Sequence, residues 1–179
     1  MKVEKLNLTK NGTFEFHNEI LPEKTNNDLV KVAPLKVGIC SSDIPRAFNE
    51  KAYFYPIVLG HEFCVSVIED KGNYFKSGQL CTVFPLLPCF KCNSCKEKKY
   101  NTCSDYSYYG SRRDGGLQST MYIKRWNLIK LPNDIDLNSA SLIEPIAVCI
   151  HAAKKIKRKK NILLYGGGFL SQIMSKLLL

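Results

Sequence analysis

The chain reads as a mainly β, barrel-like domain with a metal-binding lobe, followed by the first strand–helix unit of an incomplete α/β fold. Three observations lead there. Short β-branched segments, broken by Pro, Gly and Asn, fill residues 1–130 with no long helical pattern between them. Cys89, Cys92, Cys95 and Cys103 fall in one short stretch at C-x2-C-x2-C-x7-C spacing. Near the C-terminus an apolar run meets Gly166-Gly167-Gly168 and then an apolar helical pattern.

Taken in order, Leu29 to Val37, Ile57 to Glu69, Gln79 to Phe84, Leu117 to Ile123 and Asn127 to Leu131 are the expected strands. Asp114-Gly115-Gly116 is a turn ahead of one of them. The cysteine stretch projects as a lobe. At Asn138 the texture changes. Ser139 to Ile156 has helical composition with Asn138 as cap, and Pro145 predicts a break at Glu144. Such a break aims the Glu144 carboxylate into a cleft, or simply leaves a surface glutamate at a bend. Asn161 to Tyr165 is expected as a short strand, and Phe169 to Leu179 as a helix. Strand, glycine turn and helix is the order in which a dinucleotide-binding fold begins. Here Ser171 stands where a third glycine is expected, and the acidic residue about twenty positions on falls past Leu179. A glycine turn between any strand and helix accounts for the pattern equally well.

Four closely spaced thiols suit a tetrahedral centre better than core packing. Two metals remain open. Ferredoxin clusters use similar two-residue gaps, but their fourth cysteine follows after three residues and precedes Pro; here the gap is seven and Ser104 follows, which favours zinc. Lys91, Lys96, Lys98 and Lys99 offset part of the thiolate charge. Disulfides are the weaker reading, because Met1 to Ile20 lacks the apolar core of a secretory signal and a cytoplasmic chain is reduced. Four protein ligands leave no position for substrate, so this site is expected to be structural.

The composition, 45% hydrophobic over 179 residues, supports a sizeable core. No apolar run approaches the eighteen or so residues of a membrane span. A net charge of +10 raises nucleic acid as a partner, yet the lysines are diffuse, and Lys154 to Lys160 reads as a solvated helix end and linker. No nucleic-acid or membrane partner is expected.

A second constellation points to chemistry. Cys40-Ser41-Ser42-Asp43 lies about twenty residues before Gly60-His61-Glu62. A Cys, a His and a carboxylate with one position open describe a catalytic zinc site. With these segments, the four-cysteine lobe and Glu144-Pro145, the chain resembles the zinc-containing medium-chain alcohol and polyol dehydrogenases. Ser42-Asp43-Ile44-Pro45-Arg46, Tyr55-Pro56-Ile57, Pro85 to Phe90 and Gly110 to Gly116 resemble the branch acting on sugar-alcohol phosphates such as galactitol 1-phosphate. Ser41 departs from the Gly usual in the family.

The resemblance implies a GroES-like barrel over residues 1–150 with two zinc ions, and the start of a Rossmann domain over 151–179. It implies Cys40, His61 and Glu144 as ligands of the catalytic zinc, with Glu62 a ligand or close neighbour. Ser42 would pass the alcohol proton outward, and Asp43 would orient His61. Gly166, Gly168, Phe169 and Leu170 would begin the NAD(P) site. Arg112 and Arg113 are candidates to anchor a phosphate, or form an exposed pair with Asp114. The expected reaction is hydride transfer from a zinc-activated polyol or sugar-alcohol phosphate to NAD(P), in an enzyme usually homo-oligomeric. Because the sequence stops at Leu179, a truncated member that binds nicotinamide poorly is expected. A non-catalytic zinc-binding fragment, or another polyol or threonine specificity, is the alternative.

Overall fold

The computed structural model describes residues 1–156 and 161–178. Val3 and Leu8 are fully buried, and they seat strand β1 (Lys2–Leu8) against the body of the molecule. β1 pairs antiparallel with β2 (Phe14–Ile20) on one side and with β4 (Ile57–Val58) on the other. The main sheet is antiparallel and five-stranded, in the order β10-β6-β5-β3-β9. Its members are β3 (Leu29–Gly38), β5 (Glu62–Glu69), β6 (Leu80–Val83), β9 (Met121–Lys124) and β10 (Leu128–Lys130).

Side-chain alternation explains its inner face. Val30 and Val32 on β3, Phe63, Val65 and Val67 on β5, and Ile123 on β9 point to one cluster, each at most 1% exposed. Four of the five expected strands are found, with the Ile57 to Glu69 run split in two at Leu59–His61. Of Leu117 to Ile123 only the part from Met121 is strand, and Leu117 to Thr120 form a bend whose backbone bonds to Leu6, Leu59 and Glu4. The N-terminal hairpin and the short helix α1 (Asp43–Phe48) had no counterpart in the sequence reading. A second cluster of Leu8, Ala47, Ile57 and Leu59 ties that hairpin and α1 to the rest.

The cysteine stretch does project as a lobe, flanked by the small ribbon of β7 (Leu86–Leu87) and β8 (Ser107–Tyr108). It contains helix α2 (Asn93–Lys96). Its contact with the barrel includes aromatic edges: Trp126 meets Phe84 at 5.5 Å on the barrel side, and Phe90 at 5.0 Å and Tyr100 at 5.4 Å on the lobe side.

Three expectations fail in the C-terminal part. The helical stretch is two helices, α3 (Leu137–Ser141) and α4 (Ile143–Lys155), and its cap is Asp136, which accepts from the Ser139 N–H at 2.8 Å. Asp136 wins over Asn138 because it stands just outside the first turn, where a carboxylate reaches an unpaired N–H. The break falls at Leu142 rather than Glu144, since Pro145 sits in the first turn of α4 where no backbone donor is required. The strand expected over Asn161 to Tyr165 does not form: Leu163 is 89% and Tyr165 99% exposed. A strand needs a neighbour for its backbone groups, and among the described residues none lies beside it. The helix that should follow does form, as α5 (Phe169–Leu178), and packs on α4 through the Cys149 thiol near the Leu170 carbonyl at 3.6 Å. Lys154 and Lys155 end α4, whereas 157–160 of the lysine run lie outside the described residues. Among the described residues no helix is long and apolar enough to cross a membrane.

Candidate active site and metal centres

The lobe brings its four cysteines into one cluster. Their sulfurs all lie within 4.8 Å of one another, with Cys89–Cys95 and Cys92–Cys103 at 3.9 Å. A tetrahedron of sulfurs about 2.3 Å from a central ion has edges of about 3.8 Å, so the cluster fits one zinc ion and is too tight for a multi-atom iron–sulfur core. Backbone N–H groups of Lys91 and Cys92 approach the Cys89 sulfur, each at 3.4 Å, and hold that thiol below its ordinary pKa. Backbone donors from Ser104 and Cys95 bring Cys92 down to about 6. Cys95 goes the other way: burial and its neighbours Cys103 and Cys92 push it up to about 12, so without an ion the lobe favours thiolate at Cys89 and Cys92 and a proton on Cys95.

The second centre is assembled by sheet register. β3 and β5 pair so that Gly38 faces Glu62, which sets Cys40, two residues beyond, beside His61 and Glu62. Gly38 leaves room for the Glu62 carboxylate, since a Cβ there would stand 2.6 Å from its oxygen and push it aside. From behind, the Gly110–Gly116 turn clamps the His61 backbone: Gly116 N–H donates to Gly60 O at 2.8 Å, and a Cβ on Gly115 would stand 2.1 Å from that same oxygen. The result is one thiol, one imidazole and one carboxylate with ligand atoms all within 4.8 Å.

The charges around this trio also suit a dication. Asp43 is 2% exposed, accepts from Cys40 N–H at 3.1 Å, and places an oxygen 3.5 Å from His61 Nδ1. That contact leaves Nδ1 without a hydrogen bond, and Nε2 as the nitrogen available to an ion. Burial alone would lower the imidazole pKa, but Asp43, Glu144 and Glu62 together hold it above its ordinary value. Burial raises the Glu144 carboxyl, a shift that His61 opposes and Glu62 adds to.

Glu144 stands outside the trio. It accepts the Tyr108 O–H at 3.3 Å and lines a separate cavity with Tyr100, Asn101 and His151. Tyr108 was missed in the sequence, and no local signal marks it: its ring lies edge-on to His61 at 5.8 Å, and burial raises its pKa, with Glu144 adding to the shift. Arg46 carries no functional signal on its own in the sequence. Its Nη1 donates to Ser42 O at 2.8 Å and Ser42 Oγ at 2.9 Å, and approaches Asp43 at 3.4 Å. The four-residue spacing from Ser42 along α1 was the available clue.

Two cavities meet at the trio. One, of about 470 Å³, has Ser42, His61, Arg46, Tyr108 and Arg112 in its walls. The other, of about 450 Å³, is lined by Cys40 and Glu62 together with Gly168, Phe169, Leu170 and Ser171 at the start of α5. Added side chains at Gly167 or Gly168 would meet nothing within 4 Å, so room remains for a ligand against this helix end; Gly166, at φ +105°, makes the turn. Arg113 does not line either cavity; its Nε donates to Ser107 Oγ at 3.1 Å. Asp114 pairs with Lys5 at 2.9 Å, so the expected pairing of Asp114 with the two arginines is not found.

Known proteins resemble this chain in sequence and fold. Galactitol 1-phosphate 5-dehydrogenase of Escherichia coli K12 is 36% identical over 161 residues, covering 88% of this chain and 46% of its own length. Sorbitol dehydrogenase of Bacillus subtilis is 32% identical, over 82% of this chain and 44% of its own. The crystal structure of the E. coli galactitol-1-phosphate dehydrogenase superposes with a TM-score of 0.90 at 33% identity, over 97% of this chain and 51% of that one. A zinc-binding dehydrogenase of Sinorhizobium meliloti, solved with NADP, gives 0.90 at 26% identity, over 99% and 53%. The chain thus spans about half the length of the curated relatives it matches. The family described as "Alcohol dehydrogenase GroES-like domain" matches residues 26–133, a stretch that includes Cys40, His61, Glu62 and all four lobe cysteines. On that match, which takes in more than half of the sequence, the chain belongs to the alcohol dehydrogenase GroES-like domain family.

Proposed function

We propose that this chain supplies the metal and alcohol sites of a zinc-dependent polyol dehydrogenase, which moves hydride from a sugar alcohol or its phosphate to NAD or NADP. The observation that carries this reading is the place of Cys40, His61 and Glu62 between two cavities. One offers hydroxyl and cationic groups, and the other offers a glycine turn and a helix N-terminus. An alcohol on the first side and a nicotinamide on the second would approach the same point. The names of the relatives, among them galactitol 1-phosphate, sorbitol and D-arabitol-phosphate dehydrogenases, support a polyhydroxy alcohol.

Cys40, His61 and Glu62 would hold the zinc, and Glu144, which here accepts from Tyr108, would exchange for Glu62 in another state. Zinc, when bound, polarises an alcohol oxygen and brings its pKa toward neutrality. The remaining work falls to the chain itself. Ser42 Oγ accepts from Arg46 and keeps its own hydrogen free, so it can take up the alcohol proton and pass its own outward. Asp43 faces Nδ1 of His61 and would hold the N–H there, leaving Nε2 for the ion, and Tyr108 donates to Glu144. The N–H groups at the start of α5 face the second cavity, where a pyrophosphate is favoured. We also place the domain division at 150/151, within α4, and the protein in a reducing, cytoplasmic setting, which suits eight free cysteines.

Metal analysis and calorimetry test this together. The protein should carry about two zinc ions, and Cys40→Ser should carry about one while keeping its fold. Galactitol should bind the zinc-loaded chain and not the Cys40→Ser variant. Undiminished binding of galactitol to Cys40→Ser would defeat the assignment.

A further inference from the structure

The cavity on the Ser42 side carries two cations, of which Arg46 has Asp43 at 3.4 Å and Arg112 has no carboxylate neighbour among the described residues. Arg46 and Arg112 both line it, and no Asp or Glu does among the described residues. Arg112 stands at its exposed rim with its guanidinium carbon 4.4 Å from the Tyr53 ring centroid and 4.5 Å from that of Tyr106. Two ring faces fix the plane of a guanidinium while leaving donors in that plane for an acceptor. The arginine–carboxylate pairs among the described residues involve Arg46 and Arg125 only. Arg46 spends Nη1 on Ser42 and Asp43, and its Nη2 has no acceptor among the described residues. Ser111 and Asn101 add neutral polar groups to the same walls.

A neutral polyol can accept hydrogen bonds from guanidinium groups but gains little from their charge, whereas a cavity lined by one sign of charge concentrates the opposite one. A phosphate monoester matches the planar fork of arginine in both charge and geometry. Resting on the polyol dehydrogenase reading above, we propose that this cavity takes a phosphorylated sugar alcohol, its phosphate held by Arg112 and by Nη2 of Arg46. The hydroxyl to be oxidised then points at the trio, and Arg113 has no part in recognition.

Calorimetric titration of the zinc-loaded chain with galactitol, galactitol 1-phosphate and inorganic phosphate tests this. The ester should bind at least about tenfold tighter than galactitol at low salt, with the advantage shrinking as salt is added. Arg112→Gln should cut the advantage to less than about threefold, and Arg46→Lys, which keeps a charge but loses the fork, should weaken the ester by about threefold. Arg113→Gln should leave the ester's affinity unchanged, and zinc content and circular dichroism of each variant report its fold. Equal affinity for galactitol and its phosphate overturns the anion site and leaves the polyol reading standing. Inorganic phosphate binding that Arg112→Gln weakens, with no binding of galactitol or its ester, supports the anion site and counts against the polyol reading. No binding of any of the three overturns both.

Discussion

The two thiol-bearing clusters are built in opposite ways. In the lobe, four identical ligands come from one continuous stretch, Cys89 to Cys103, and turns within that stretch bring them together. In the trio, Cys40 comes from just beyond β3 and His61–Glu62 from the entry to β5, and only the Gly38–Glu62 register joins them. The lobe surrounds its ion with protein donors on all sides. The trio mixes sulfur, nitrogen and oxygen and opens onto two cavities. A local cluster can organise a loop without help from the rest of the fold. A cluster made by register needs the barrel first and keeps a free face, which is where chemistry can occur.

Cys103→Ser should produce the largest effect. Losing one sulfur opens the lobe and should lower stability by on the order of 4 kcal/mol, because structural zinc binding contributes directly to folding. Urea unfolding in the presence of zinc measures it; a variant that unfolds like the parent would show that the lobe does not depend on its fourth sulfur. Gly38→Ala should act on the other cluster alone. Its methyl would displace the Glu62 carboxylate, weakening zinc at the trio by about tenfold, while the lobe keeps its ion. A competitive chelator titration should show one site shifted and one unchanged.

The smallest effect concerns pH in zinc-free protein. The folded-state pKa of His61 is raised, so its stabilising contribution is complete below the ordinary histidine value of about 6.5 and is lost as pH rises through the raised value. Asp43→Asn should weaken this pH dependence, because Glu144 and Glu62 remain. Chelator-treated parent and variant should then differ more in melting temperature at pH 6 than at pH 8.5, and equal differences at both would show that Asp43 does not govern the imidazole.

Sequence spacing made the lobe readable because its ligands are neighbours in the chain. Cys40, His61 and Glu62 are each unremarkable alone; they became readable through resemblance to a family, and the register that unites them is a tertiary fact. The same division holds for the fold. Val30, Val32, Val65 and Val67 announce strands by alternation, whereas β1 and β2 carry Asn, Glu, His and Lys and depend on pairing with each other. Asn161 to Tyr165 has the composition of a strand but no partner beside it. Pro145 signalled a break, but its tolerance in a first turn moved that break to Leu142. Tyr108 reaches Glu144 across 36 positions of sequence, a distance over which no local pattern extends.

Trp126 is the only tryptophan in the chain, and its ring is pinned between Phe84 of the barrel and Phe90 and Tyr100 of the lobe. The molecule therefore carries its own optical gauge. Any event that loosens the lobe, whether chelation, oxidation of a sulfur or a substitution, changes the surroundings of that single indole and with them the wavelength and intensity of its fluorescence. The trio is not packed against it, so emission can follow one ion while remaining blind to the other.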